Sequence, residues 1–368
     1  LEEASTVNSK LMAIDLAKNV FQVCVIGVHG QVLSNRRISR HKLSELIANT
    51  PPTIIAMEAC SSAHFWGRLA HKHGHEARLL PPQHVKAFRG VQKSDGHDAL
   101  AIGEAAQRPK LHSVPVKDIQ QQDLALMVQV RARMKRERTA LTNQIRGFAA
   151  EYGLSFPKGI AALLSALPHI PVESDMHSAQ TSRLLAELGL DLIRLSERLD
   201  AVEAQMLEQA RVYPAFARLQ QIPGVGPIIA ATLIGLVGSA EQFENGRQMS
   251  AWVGLVPRQR GTGGRVHLGH ITKVGDRRLR TQLIHGSRSV LRWIDKQHPA
   301  FRQWAQGIIE RRGEKRAIVA YANKLTRLAF VALRRNEPFD IAKAFQAPQL
   351  NHPILLTQEP RPYPTHCW

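Results

Sequence analysis

The chain has 368 residues, with 49 Lys and Arg against 30 Asp and Glu and a formal net charge of +19. Its length suits two or three domains, and 44% hydrophobic with 21% charged residues excludes global disorder. No apolar run reaches the roughly 18 to 20 residues that span a bilayer. Leu1, Glu2 and Glu3 lack the layout of a signal peptide, so a soluble cytoplasmic protein is expected. Cys24, Cys60 and Cys367 form no C-x-x-C pair, which points away from a disulfide framework or a thiolate zinc site. A positive field of this size attracts polyanions and releases their counterions, so nucleic acid leads as the expected partner, ahead of an anionic membrane surface. From Phe216 to Arg335, 21 basic residues face six acidic ones, and most of the charge lies in that third. The clusters Lys273, Arg277, Arg278, Arg280 and Arg311, Arg312, Lys315, Arg316 recur at helical spacing and read as a polyanion-binding face.

In chain order, Leu11 to Ile14 reads as a buried strand, Val20 to Val28 as a second, and His29-Gly30 as a turn into a third from Gln31. A short helix over Lys42 to Ala48 is closed by Pro51-Pro52, and Thr53 to Met57 is another apolar strand. Ser61 or Ser62 caps a helix that ends near Gly74, and Glu76 to Leu80 is a strand stopped by Pro81-Pro82. The order β-β-β-α-β-α-β-α, three antiparallel strands before parallel units, is that of a ribonuclease-H-like fold. Long helices are predicted over Ile119 to Ala150 and Thr181 to Val212, as an antiparallel arm or coiled coil, or as helices packed on the domains. Ile222-Pro223-Gly224-Val225-Gly226-Pro227 suggests a helix-hairpin-helix turn able to hold a phosphate, or glycines that let two helices approach. A glycine-rich basic loop from Pro257 to Gly269, Arg-rich helices to Arg335 and a poorly structured Pro-rich tail follow.

Four acids form the first constellation. Asp15 and Glu58 end neighbouring strands and converge on one sheet edge, and Asp98 with Asp95 opens a helix that can join them. Clustered carboxylates repel unless cations neutralise them, and hard divalent ions such as Mg²⁺ take oxygen ligands. Read singly, Asp95 is a helix N-cap and Glu58 a solvated strand end; read jointly, on this element order, the four are a metal site. Thr262 lies among Arg258, Arg260 and Arg265, where an exposed hydroxyl could attack a phosphodiester held by guanidinium groups. The alternatives are a plain turn threonine, or Ser287 or Ser289 on a nearby helix. The run His71-Lys72-His73-Gly74-His75 spans a helix end without a fourth ligand and is discounted as a metal site.

Five blocks carry a family resemblance: Ala13-Ile14-Asp15-Leu16-Ala17-Lys18, Met57-Glu58-Ala59-Cys60, Lys93 to Ala99, Ile222 to Pro227, and Gly254 to Gln259 continued by Leu268 to Arg277. In this order, over about residues 11 to 335, they resemble transposases of the insertion-sequence 110 family, close to its 1111 subgroup. The resemblance implies a RuvC-like domain with an Asp-Glu-Asp-Asp Mg²⁺ site at Asp15, Glu58, Asp95 and Asp98, a coiled-coil arm, and a transposase domain with a serine nucleophile. It also implies a recombinase guided by a non-coding RNA of its own element, acting on donor and target DNA as a tetramer or dimer of dimers with composite sites. Where the family usually reads Ser-Ser-Gly-Gly, this chain has Gly261-Thr262-Gly263-Gly264, so Thr262 holds the serine position.

The expected architecture is therefore α/β plus all-α. Residues 1–114 are expected to form the RuvC-like domain, 115–215 the arm, 216–336 the transposase domain and 337–368 the tail. The expected nucleic-acid contacts are Arg258, Arg260, Arg265, Lys273, Arg277, Arg278 and Arg280, in a nucleoid-associated bacterial protein without membrane partners. Two alternatives remain beside the recombinase: a RuvC-like nuclease using water, and a nucleic-acid-binding protein whose chemistry has lapsed.

Overall fold

The computed structural model describes residues 9–90, 95–109, 111–172, 174–262 and 265–346. Its first region runs β1 (Ser9–Asp15), β2 (Val20–Gly27), β3 (Val32–Ser39), α1 (Arg40–Asn49), β4 (Ile54–Glu58), α2 (Ala63–Lys72), β5 (Glu76–Leu80), α3 (Pro82–Val85) and α4 (Asp95–Ala106). The sheet order is β3-β2-β1-β4-β5. β1 pairs antiparallel with β2, and β2 with β3, whereas β4 runs parallel to β1 and β5 parallel to β4. This is the element order expected from the apolar runs and the proline stops. Both faces are covered. Met12, Ile14, Phe21, Val23 and Met57 pack beneath α1 and α2 around Trp66, and Leu11, Ala13, Cys24, Ile26 and Ala56 pack against α4. α4 lies close because Gly103 faces β1 and β2, where a Cβ would meet Ile26 Cδ1 at 2.5 Å. Ser62 does stand before α2, but in a left-handed conformation (φ 72°) and without a capping side-chain bond.

The middle region is α5 (Ile119–Glu151), α6 (Ile160–Ala166) and α7 (Ala179–Arg211). α5 and α7 have 33 residues each, about 50 Å at 1.5 Å per residue. Their N-caps are Asp118, accepting from Gln121 N at 2.7 Å, and Ser178, accepting from Thr181 N. The two helices pack on each other. Leu124, Val128, Met206 and Ala210 join the core of the last region, while Ile145, Ala149, Leu185 and Leu192 close a separate cluster with Leu163 of α6.

The last region is α8 (Ala215–Gln220), α9 (Pro227–Val237), α10 (Gly246–Val253), β6 (Pro257–Thr262), β7 (Arg265–Ile271), α11 (Arg277–Arg292), α12 (Pro299–Arg312), α13 (Glu314–Arg334) and α14 (Ile341–Phe345). The Ile222–Pro227 turn is built for close packing. Gly224 has φ 86°, and a Cβ there would lie 2.9 Å from the Gly286 carbonyl of α11; Tyr321 donates to the Pro223 carbonyl at 2.6 Å. Two expectations are corrected here. The basic segment after Pro257 is an antiparallel hairpin, with Gln259 opposite Leu268 and Gly261 opposite Val266. The tail is ordered as far as Gln346, because Asp340 caps α14 and Phe345 is buried against Phe301 and Trp304. Residues 347–368 lie outside the described residues. Among the described residues no helix is long and apolar enough to cross a membrane.

Candidate active site

Asp15 and Glu58 are the last residues of β1 and β4, and the register pairs Ile14 with Met57 immediately before them. Two parallel neighbours thus end on the same edge and face. The start of α4 is held over that edge by β3 and its neighbour. Arg37 pairs with Asp95 Oδ2 at 2.9 Å, Asn35 donates to the Gly96 carbonyl at 2.9 Å, and Gln22 donates to Asn35 Oδ1 at 2.6 Å. Asp98, in the first turn of α4, is buried beside the strand ends.

The electrostatics follow from this convergence. Burial first, then the neighbouring charges of Asp98, Glu58 and Asp95, push the Asp15 carboxyl from its ordinary 3.8 to about 6, against the opposing pull of Arg89. Burial also raises Glu58, with Arg89 opposing and Asp98 adding. Cys60 stands beside them, its thiol held protonated by burial and by Glu58 and Asp15.

Arg89 is the residue that sequence reasoning missed. Its Nη2 donates to Glu58 Oε1 at 2.7 Å and its Nε pairs with Asp98 Oδ1 at 3.0 Å, so one guanidinium bridges the strand end and the helix start. A lone arginine in a short loop after Phe88 carries no periodic or spacing signal in the sequence. Among the described residues no three His, Cys, Asp or Glu side chains are arranged to hold a metal ion as they stand. The donor set nevertheless fits a hard cation: it is all carboxylate, and its negative charges add to the burial that raises Asp15. Arg89 supplies part of the neutralisation that such a cation would supply.

The hairpin is the second element. Pro257 to Gly261 and His267 to His270 are exposed. Its base is tied down by Thr272 N donating to the Val256 carbonyl at 2.9 Å, Lys273 N to the Gly254 carbonyl at 3.1 Å, and Arg258 to the Thr272 carbonyl at 3.3 Å. The side chains of Thr262 and Arg265, with Gly263 and Gly264, lie outside the described residues. Among the described residues, no ion pair or hydrogen bond links the four acids to this hairpin.

Of the expected nucleic-acid contacts, Arg258, Arg260, Lys273 and Arg277 are exposed, but two serve the fold. Arg280 is buried and donates to the Val253 carbonyl at 3.0 Å and the Val274 carbonyl at 2.9 Å, because the first turn of α11 faces the carbonyl-lined bend between α10 and the hairpin. Arg278 pairs with Asp276 Oδ2 at 2.7 Å, and Asp276 also caps α11 through the Arg278 and Leu279 N–H groups, which holds its carboxyl below the usual range despite burial. Ser287 is removed as a rival hydroxyl: it is fully buried and donates to the Leu283 carbonyl at 2.8 Å. His75, from the discounted histidine run, is a structural residue bonded to the Ile47 carbonyl and Thr53 N.

A carboxylate cluster on the carboxyl edge of a mixed sheet, joined to a basic helical region, is the make-up of an enzyme acting on polyanions. Comparison with known proteins makes this specific. A model of the Transposase IS116/IS110/IS902 family matches residues 216–303, and one of IS110 DEDD transposases matches residues 12–153. A probable family 20 transposase of Pseudomonas aeruginosa is 42% identical, over 89% of this chain and 98% of its own length. The transposase for insertion sequence element IS1111A of Coxiella burnetii is 37% identical, over 90% and 91%. That for IS1328 of Yersinia enterocolitica is 35% identical, over 90% and 99%. The chain belongs to the IS110 family of insertion-sequence transposases.

Proposed function

We propose that the chain is a DNA recombinase that cuts and rejoins strands of its insertion sequence through the Thr262 hydroxyl, with the acids Asp15, Glu58, Asp95 and Asp98 as a Mg²⁺ site. The observation that carries this reading is the gathering of four carboxylates at one sheet edge, close enough that Asp98, Glu58 and Asp95 add to the burial that lifts Asp15 to about 6. Bound there, Mg²⁺ would neutralise the cluster and stabilise charge developing on a phosphate. In this reading, residues 1–114 form the RuvC-like domain, supported by the strand order and directions, and 115–215 the coiled-coil arm, supported by the packed pair α5 and α7. Residues 216–336 carry the nucleophile and 337–368 the tail.

The chain's own groups divide the work. Arg258, Arg260 and Arg265 hold the scissile phosphate with planar guanidinium donors. The Thr262 oxygen attacks phosphorus and forms a phosphodiester to the protein, the hydroxyl proton is lost, and the departing strand oxygen leaves protonated. A hydroxyl on the second strand then attacks this link, joins the strands and returns Thr262. The β-methyl of threonine restricts χ1 relative to serine and slows the approach without removing the nucleophile. A non-coding guide RNA of the same element, donor and target DNA, a tetramer or dimer of dimers, and a nucleoid-associated cytoplasmic location complete the reading on the strength of the family resemblance.

The test is incubation with Mg²⁺, the element's non-coding RNA and labelled donor and target DNA, followed by a denaturing gel and mass-spectrometric mapping. An adduct on Thr262, absent in Thr262→Ala and faster in Thr262→Ser, is expected. Free cut ends without an adduct would replace this reading with hydrolysis by water at the same acids. Binding without cleavage in either the native or the Ser form would leave only a lapsed nucleic-acid-binding protein.

A further inference from the structure

A cavity of about 480 Å³ opens between the start of α10 and the outer face of α13, and no residue of the hairpin lines it. Its mouth carries three cations, Arg247, Lys324 and Arg327, and no carboxylate lines it. Lys324, Arg327 and Val331 share one face of α13 by their spacing. Arg247 comes from a different helix, and a glycine brings it there. At Gly246 the backbone of α10 presses on α13 so closely that a Cβ would lie 3.0 Å from Arg327 Cα and 3.1 Å from Arg327 Cβ.

Like charges gathered in this way repel, and among the described residues no carboxylate answers them. Among the described residues, none of the three is in an ion pair with an acid. Lys324 lies over aromatic faces, with its Nζ 4.8 Å from the Phe345 ring centroid and 5.7 Å from that of Trp304. Burial, and then the charge of Arg327, make its ammonium easier to deprotonate than usual. By contrast, three less exposed arginines have partners: Arg131 has Glu203, Arg278 has Asp276, and Arg280 has two carbonyls. The floor is apolar, from Leu328, Phe330 and Val331. Three converging donors over an apolar floor suit a phosphate flanked by a sugar.

We infer that this cavity is a second phosphate site, which takes a backbone phosphate of a nucleic-acid strand away from the hairpin where cleavage is proposed. The inference rests on the proposed action on nucleic acid and adds a separate anchor point to it. Such an anchor fixes where the strand crosses the last region, and so sets its path relative to the nucleophile without taking part in the chemistry.

The test uses the full chain and fluorescein-labelled single-stranded and duplex DNA, with anisotropy titrations over a range of salt. Arg247→Gln/Arg327→Gln alters two exposed side chains and is expected to melt like the native chain. It should bind DNA about tenfold more weakly at ~0.1 M salt and lower the salt slope by about 0.7 to 0.9 for each contact removed. Lys158→Gln/Arg183→Gln, an equal loss of charge in the middle region, should leave both quantities nearly unchanged. Equal effects in the two double variants, or none in the first, would overturn the inference. So would displacement of the strand by millimolar mononucleotide in the native chain alone, which would make the ligand a free nucleotide. Absence of DNA binding by the native chain would instead refute the proposed function itself, so the two failures are distinct.

Discussion

Asp15→Asn should stabilise the metal-free protein while abolishing strand cleavage. Asp15 is half-buried, shares its sheet edge with three other acids, and is in no hydrogen bond that the substitution would break among the described residues. Its rise from 3.8 to about 6 sets a ceiling of about 3 kcal/mol at ~1.4 kcal/mol per tenfold change in proton affinity. Solvent screening of a half-exposed carboxylate reduces this to roughly 1 to 2 kcal/mol. The sign follows from proton counts. Below 3.8 the group is protonated whether the chain is folded or unfolded and imposes no penalty. Between 3.8 and about 6 the unfolded chain releases its proton first, so the folded chain binds more and stability falls as pH rises. Above about 6 the penalty is complete. Urea unfolding in EDTA at pH 8 should therefore show Asp15→Asn more stable, with a melting rise of a few °C, and the difference should vanish near pH 4. If the variant at pH 8 is no more stable than the native chain, burial and the neighbouring carboxylates do not penalise the Asp15 charge as its placement requires. Adding Mg²⁺ should narrow the gap, because the cation relieves the native cluster more than the variant.

Arg89→Gln should act in the opposite direction: loss of the guanidinium between Glu58 and Asp98 should cost about 2 kcal/mol in EDTA at pH 8, with part recovered by Mg²⁺ in the same urea titration. Arg280→Ala strands two buried carbonyls and should cost about 2 to 3 kcal/mol. Because it does not face the ligand, the salt slope of DNA binding should stay unchanged in anisotropy. Gly286→Ala places a Cβ into the Gly224 carbonyl, so overpacking of about 1 to 3 kcal/mol should outweigh the ~1 kcal/mol gain in helix propensity. Gly307→Ala, with open space around it in α12, should stabilise, and calorimetry of the pair separates packing from propensity.

The sheet was legible because its signals are local. Leu11 to Ile14 and Ile54 to Met57 are unbroken apolar runs, and prolines stop the neighbouring segments, so strand order and the meeting of Asp15 with Glu58 follow from general rules of α/β sheets. The hairpin from Pro257 was not, because Pro257 to Gly261 and His267 to His270 are exposed and leave no apolar pattern. Arg258, Gln259 and Arg260 show no alternation, and only pairing with the strand Arg265–Ile271 makes them a strand. Arg280 was misread because burial depends on which carbonyls a helix face meets, and its neighbours Arg277 and Arg278 differ from it in nothing that composition records. Arg89 was invisible for the same reason: its role exists only once two strand ends and a helix start have converged around it.

The hairpin also has a consequence for how substrate is discriminated. A two-stranded ribbon is marginal on its own in water, and among the described residues this one is fastened to the core at its base. In the proposed reading, a strand held by Arg258 and Arg260 adds to the stability the ribbon has by itself. Contact energy appears as affinity only after any ordering cost is met. In the proposed reading the ribbon would therefore impose a cooperative threshold on occupancy, so that short or mispositioned strands are rejected before any base is compared.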